Sequence, residues 1–442
     1  MQSNGIWDRD EAAQNHVACE GLRAHLRSAF RHDLPVRDYG CGLGHYCVSL
    51  AAQGFDVEGL EGTRELGELA VYRRIDTADL TQHLERAPAQ GLCLEVGEHI
   101  PAEFEAVFLD NLTRLSRRRI VLSWAVPGQG GLGHVNCQTN AAVISKLAAR
   151  GWGFHQDLTD HLRARVSEVC WWFRNTLMVF DELERNVDRA RIVMATDDRG
   201  LRATATTLAS AARRSSLPVE ACVFYRGDQL PAEVDTEPLR VHVRRPKHHL
   251  AGSIPAHVTQ STFDRVLAIP ELPDWDRALI LDLDQVVLGD IALLCRTPFE
   301  DSLLAARRWN TTLGQAARDW FGRRLPPAFE AHESAPYFYM GPLMNLDGMR
   351  RAGTWERFLA FHEAAHMEEQ LGLAVATAGR LKGVHPMWNL IPQWDDMEST
   401  IGVVHWTGPA KPWHEPAVCW RPEVWRAENT AWADLGRTFS RR

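Results

Sequence analysis

No stretch of the 442 residues approaches the ~20 consecutive apolar residues that a bilayer span requires, so no integral membrane segment is expected. The opening Met-Gln-Ser-Asn-Gly-Ile-Trp-Asp-Arg-Asp has no apolar signal region. No basic amphipathic helix is obvious, so nothing points to a membrane surface. The 9 cysteines are scattered singly from Cys19 to Cys419, without a C-x-x-C pair. Such an odd, dispersed set argues against a disulfide framework and fits a reducing, cytoplasmic setting. Positive charge is also short: 49 Lys and Arg against 57 Asp and Glu leave a net charge of -8, which argues against a nucleic-acid partner. Low-complexity segments and short repeats are missing too.

What remains is ordinary for a soluble globular chain, 45% hydrophobic and 24% charged, at a length that suits two or three domains. Tryptophan is the exception. Seven of the 16 lie after residue 385, which predicts an aromatic-rich wall near the C-terminus. Oligomeric state cannot be read from any of this.

The most informative stretch is Asp276 to Ile291. Ala278, Leu279, Ile280 and Leu281 form an apolar run typical of a strand buried on both faces. It leads into Asp282-Leu283-Asp284. Carboxylates two apart on an extended chain project to the same side, so both can reach one hard divalent cation such as Mg²⁺ or Mn²⁺. An acidic turn at a strand end is the plain alternative.

In the first half, helical spacing of apolar residues runs through residues 11 to 31. A strand at Val36 then enters Asp38-Tyr39-Gly40-Cys41-Gly42-Leu43-Gly44-His45, followed by an amphipathic run. The glycines let the backbone approach a ligand, and the helix start behind them offers free N–H groups. A dinucleotide fingerprint needs a third glycine where this chain has His45. The run resembles instead the first motif of class I S-adenosylmethionine-dependent methyltransferases. That resemblance implies a Rossmann-like seven-stranded sheet and cofactor binding by Asp38, Gly40, Gly42 and Gly44. It also implies ribose contacts from Glu61, at the end of Val57–Glu61, and an adenine contact at Asp79. Further strands are expected near Tyr72–Ile75, Leu92–Val96, Arg119–Ala125, Gly153–Asp157 and Thr176–Phe180, the last two as a hairpin. Methyl transfer sometimes needs a base. Glu98, His99 and His134 stand on the loops after the fourth and fifth strands, where such a base would be. No metal-ligand cluster is evident in this half, so metal-independent transfer is expected.

Phe180 to Arg189 is charged, without Pro or Gly, and reads as a short connector that can be helical. A new strand begins at Ile192 and ends in Asp197-Asp198, acids able to face a nucleobase or to cap the next helix. A helical pattern follows through Leu201 to Ala212, with strands at Val219–Tyr225 and Leu239–Val243. The rhythm predicts a mostly parallel sheet.

The order Ile-Val-Met-Ala-Thr-Asp-Asp, then Phe263-Asp264-Arg265, then Asp282-Leu283-Asp284, then His405-Trp406-Thr407-Gly408-Pro409-Ala410-Lys411-Pro412-Trp413 resembles the family 8 retaining glycosyltransferases. The resemblance implies a GT-A fold using a UDP-sugar. By the same token Ala195 and Asp197 would hold uracil, and Arg265 would touch the donor. Asp282, Asp284 and His405 would bind Mn²⁺ or Mg²⁺, and Gly408 and Lys411 the diphosphate. Glu369-Gln370-Leu371 stands where the family has Asp-Gln-Asp, so Gln370 matches at the sugar's β face and one acid is lost. Trp388-Asn389 also matches. Tyr339 and Arg199 replace family asparagines.

The chain therefore reads as α/β in two domains, 1–186 a methyltransferase and 187–442 a GT-A glycosyltransferase. The joint function expected is methylation, of oxygen by preference, plus retaining hexose transfer, on one glycan or glycosylated product, with a small-molecule or glycan acceptor. Two other readings compete: one half a degenerate binding module, or a non-enzymatic nucleotide-binding scaffold.

Overall fold

Val36–Tyr39 (β1) is buried at every position, and the first unit is laid around it. The chain, in a computed structural model, divides into Met1–Leu183 and Glu184–Arg442. Residues 3–64, 66, 69–250, 259–366, 368–395, 402–414, 419 and 421–429 are described.

In the first unit β1 is joined by Val57–Glu61 (β2), Ile75–Thr77 (β3), Ala89–Cys93 (β4), Ser116–Ser123 (β5), Trp152–Phe154 (β6) and Leu177–Glu182 (β7). They form one sheet in the order β3-β2-β1-β4-β5-β7-β6. Strands β1 to β5 run parallel, and β7 runs antiparallel to both β5 and β6. Side chains alternate across the sheet. Val36, Leu92, Val121 and Val179 fill one core. Tyr39, Cys93, Ile120, Leu122, Met178 and Phe180 fill the other. Strand order reverses between β1 and β4. The carboxyl ends there open a crevice, the usual place for a ligand in such sheets.

Several expected boundaries move. The third strand starts at Ile75 rather than Tyr72, the fourth ends at Cys93 rather than Val96, and the fifth ends at Ser123. The sixth ends at Phe154, and His155 instead caps the helix Gln156–Arg163. Residues 11 to 31 are broken into two helices, Arg9–Asn15 and Glu20–His25, the first opened by an Asp8/Glu11 capping box. The connector is not helical: residues 183–189 belong to no helix or strand.

The second unit is built from Ala190–Thr196 (β8), Val219–Tyr225 (β9), Val234–Thr236 (β10), Leu239–Arg244 (β11) and Arg277–Ile280 (β12). It continues with Gln285–Val287 (β13), Leu304–Ala306 (β14), Arg308–Thr312 (β15), Pro336–Phe338 (β16), Leu343–Asn345 (β17), Leu381–Gly383 (β18) and Val403–His405 (β19). Its main sheet has the order β10-β11-β9-β8-β12-β17-β14-β18. The expected parallel sheet holds only for β11-β9-β8-β12 and for β14 with β18. The pairs β10/β11, β12/β17 and β14/β17 are antiparallel, so the sheet is mixed. Strand β12 lies inside it, with Ala278, Leu279 and Ile280 fully buried.

Two ribbons stand apart from this sheet. β13 pairs antiparallel with β19, setting Gln285 opposite His405. β15 pairs with β16. Among the described residues, the C-terminal tryptophans do not form one wall. Trp406 and Trp425 are buried with Trp413 packed against them, whereas Trp394 is exposed. Trp420 and Trp432 lie outside the described residues. Among the described residues, no helix is long and apolar enough to cross a membrane.

Candidate active sites

In the first unit β1 delivers Asp38 and then turns sharply. Gly40, Gly42 and Gly44 all adopt positive φ, at 71°, 55° and 84°. Side chains resist that region, which is why the turn alternates glycine. A Cβ on Gly40 would also lie 2.5 Å from a methyl of Val96. Gly44 caps the helix His45–Ala52. Glu61, from the end of β2, clamps the turn: one carboxylate oxygen accepts from Gly42 N and the other from Thr63 N, both at 2.8 Å. Asp38 is fully buried, with the Cys47 thiol donating to it at 3.5 Å. Burial, with some help from the Glu61 charge, pushes its pKa to about 7.

The turn borders a cavity of about 370 Å³ lined by Asp38, Gly40, Glu61, Asp79, His99 and His134. Gly42 and Gly44 shape the turn without lining the cavity, since they face His16 and Tyr72. Asp79 accepts from Thr81 N at 2.9 Å and from the Asn4 amide at 2.9 Å. The N-terminal segment was missed as a wall of this cavity. Trp7 stacks on His16 at 5.2 Å and meets the edge of His99 at 5.0 Å. Contacts across such separations leave no periodic mark in the sequence.

Glu98, His99 and His134 do come together. Val135 N and Asn136 N both donate to Glu98 O at 2.9 Å, tying the loop after β5 to the turn Gly97–His99. One potential ligand atom from each of the three side chains lies within 4.8 Å of the others. The expectation that this half lacks a metal-ligand cluster is therefore overturned. The reason is the fold, which joins loops 35 residues apart. Burial, then the neighbouring His134, lowers the His99 pKa to about 4. Burial, then the Glu95 charge, raises Glu98 well above the usual carboxylate range.

In the second unit β12 delivers Asp282 and Asp284, and the β13/β19 ribbon brings His405 across to them. The His405 Nε2 lies 3.7 Å from Asp282 Oδ2 and 3.4 Å from Asp284 Oδ1. Its Nδ1 lies 3.1 Å from Asn389 Oδ1. An amide oxygen can only accept, so Nδ1 donates to Asn389 and Nε2 is the atom turned to the acids. The three ligand atoms lie within 4.8 Å of one another. Lys411 ion-pairs with Asp284 and donates to Trp406 O at 3.1 Å. Burial raises the Asp284 pKa, but Lys411 and His405 outweigh it and hold the carboxyl well below the usual range.

Arg265 ion-pairs with Asp282 and with buried Glu369. Its motif neighbour Asp264, fully buried, is bidentate to Arg226 at 2.6 and 2.7 Å. Gln370 donates to Phe338 O at 2.6 Å. Ala195 ends inside β8, and Asp197 accepts from Arg199 N at 3.0 Å. Gly408 sits at φ 81° in the loop before Lys411. Gln285 was missed, and Glu369 was read only as the motif neighbour of Gln370. Gln285 accepts from Asp282 N at 2.8 Å and donates to Met340 O at 3.2 Å, and Asn389 donates to that same carbonyl.

Residues 237–417 match the model of glycosyl transferase family 8. The matched span includes Asp282, Asp284, His405 and Lys411, and it supports the glycosyltransferase reading of the second unit. Among solved structures, the galactosyltransferase LgtC in complex with donor and acceptor sugar analogs is 20% identical, covering 55% of this chain and 99% of its own, at a TM-score of 0.44. Glycosyltransferase GlyE of Streptococcus pneumoniae TIGR4 is 19% identical over 56% of this chain and 64% of its own, at 0.39. Magnesium protoporphyrin IX methyltransferase (ChlM) of Synechocystis PCC 6803 is 20% identical over 39% of this chain and 88% of its own, at 0.27. No curated protein matches the chain.

Proposed function

We propose that the chain is a bifunctional transferase. Its second unit, on a GT-A-type fold, moves a hexose from a UDP-sugar to a glycan or small-molecule acceptor with retention. The observation that carries this reading is the convergence of Asp282, Asp284, His405 and Lys411 within the family 8 match. Two carboxylates and an imidazole whose Nδ1 is already engaged suit Mn²⁺, and Mg²⁺ less well. A cation held there would offset the charge of the diphosphate. Ala195 and Asp197 receive the uracil, Arg265 the donor, and Gly408 with Lys411 the phosphates. Lys411 neutralises charge as UDP departs, where stabilisation is most useful. The Gln370 amide nitrogen is tied to Phe338, which leaves its oxygen for the sugar.

The first unit methylates, an oxygen by preference, using S-adenosylmethionine. Support comes from the β3-β2-β1-β4-β5-β7-β6 order, the three-glycine turn, and the cavity bordered by Asp38, Glu61 and Asp79. Covalent linkage of the two units motivates one glycan as acceptor for both.

The test is hydrolysis of UDP-glucose, UDP-galactose and their N-acetyl forms by the intact protein. Turnover of one donor, lost with EDTA and in Asp284→Ala, is expected. Calorimetric titration with S-adenosylmethionine checks the first unit, and Glu61→Ala should weaken binding. One observation favours a second reading, in which the glycosyltransferase unit only binds. Tyr339, standing where the family has an amide, is stacked flat on Trp309 at 4.3 Å with Arg307 4.6 Å over its ring. Mn²⁺-dependent UDP binding without hydrolysis of any donor would favour it.

A further inference from the structure

We propose that Glu98, His99 and His134 form a second divalent-cation site, in the first unit and separate from Asp282, Asp284 and His405. Three features converge. One ligand atom from each side chain lies within 4.8 Å of the others. Neither Glu98 carboxylate oxygen makes a well-formed hydrogen bond, although the residue is fully buried; only the backbone of Glu98 and Ala125 and the Glu95 carboxyl interact with it weakly. Carboxylates are not left bare in protein interiors without a cation or a proton to answer them. Finally, both imidazoles are anchored from behind. His99 Nδ1 lies 3.2 Å from Gly133 O, and His134 Nδ1 lies 3.1 Å from Gln129 O. Each carbonyl fixes the proton on Nδ1 and leaves Nε2 as the lone-pair atom, the arrangement that orients histidines bound to metals.

One carboxylate and two imidazoles suit a borderline divalent cation such as Mn²⁺, Co²⁺ or Zn²⁺. Glu95 adjoins the set. Its carboxylate accepts from Gln129 at 3.1 Å and lines the same cavity, so a fourth oxygen donor is at hand. Three protein ligands leave coordination positions open. Because His99 and His134 line the cavity, those positions face it, and the ligand class they would take is the oxygen of a hydroxyl-bearing acceptor. That last role rests on the methyl-transfer reading, whereas binding of the ion does not. The competing arrangement is a proton shared between Glu98 and Glu95 with no cation.

The experiment uses the full-length chain carrying Asp284→Ala, stripped with chelator and titrated with Co²⁺ while visible absorption and bound metal are followed. One equivalent of Co²⁺ with d–d bands typical of imidazole ligation is expected. Glu98→Gln or His134→Ala should weaken it roughly tenfold or more. Glu98→Asp, which keeps a carboxylate, should retain it and controls for misfolding. No bound Co²⁺ in Asp284→Ala, or binding that Glu98→Gln and His134→Ala leave unchanged, overturns the site. S-adenosylmethionine binding, measured in parallel, separates the two claims. Cofactor bound without Co²⁺ removes the cation site alone. Co²⁺ bound without cofactor keeps the site and removes the methyl-transfer reading.

Discussion

His405 turns its Nε2 to the two acids because Asn389 engages its Nδ1 at 3.1 Å. The same Asn389 donates to Met340 O, so one side chain fixes both the imidazole and the strand bend beside it. Asn389→Ala should weaken Mn²⁺ binding roughly 10- to 100-fold in the presence of UDP, while Asn389→Asp, still an acceptor, should recover much of it. Calorimetry on the two variants decides this, and equal affinities would contradict it. Asp38 offers a test through pH. Burial puts its pKa at about 7 in the folded chain, above the 3.8 usual for the group. Between those values the folded state holds a proton that the unfolded state has released. The Asp38 contribution to stability should therefore be full below about pH 4 and be lost as pH rises towards 7. Asp38→Asn should lessen that slope in thermal melts without removing it, because Glu98 is shifted the same way. An unaltered slope would show that Asp38 titrates normally.

At the scale of elements, the turn after β1 does the positioning in the first unit. Gly40→Ala adds left-handed strain of about 1 kcal/mol or more, plus a Cβ 2.5 Å from Val96. Denaturant unfolding should show a loss of about 1–3 kcal/mol, and cofactor affinity should drop with it. Wild-type affinity in that variant would separate the turn from the ligand. The turn was legible in the sequence because only glycine tolerates three such φ values in five residues. Strand β9 was legible in full, its apolar run being bounded by Pro218 and Gly227. Other elements were misjudged for physical reasons. The apolar character of Leu92 to Val96 continues past the pairing edge of β4, so hydrophobicity alone placed that strand too late. The charged connector has helix-forming residues but too little length between β7 and β8 for a helix to nucleate. The mixed half of the second sheet was hidden because β14, β17 and β18 have three residues each, too few for a period to register. Long-range partners were hidden for a different reason. The Arg265–Glu369 pair and the approach of Trp7 to His99 depend on tertiary folding, which residue spacing does not encode.

On the scale of the whole molecule, one chain carries two units with their own sheets and their own clusters of ligand-capable side chains. Under the proposed function each has its own donor, and the pair shares a single acceptor. That function requires the second unit to bind UDP through a cation. The most direct test is calorimetric titration of UDP into the intact protein with Mn²⁺ and then with EDTA. Binding that requires Mn²⁺ and disappears in Asp284→Ala is the predicted result. UDP binding that is equally tight in EDTA, or no binding under either condition, would contradict it.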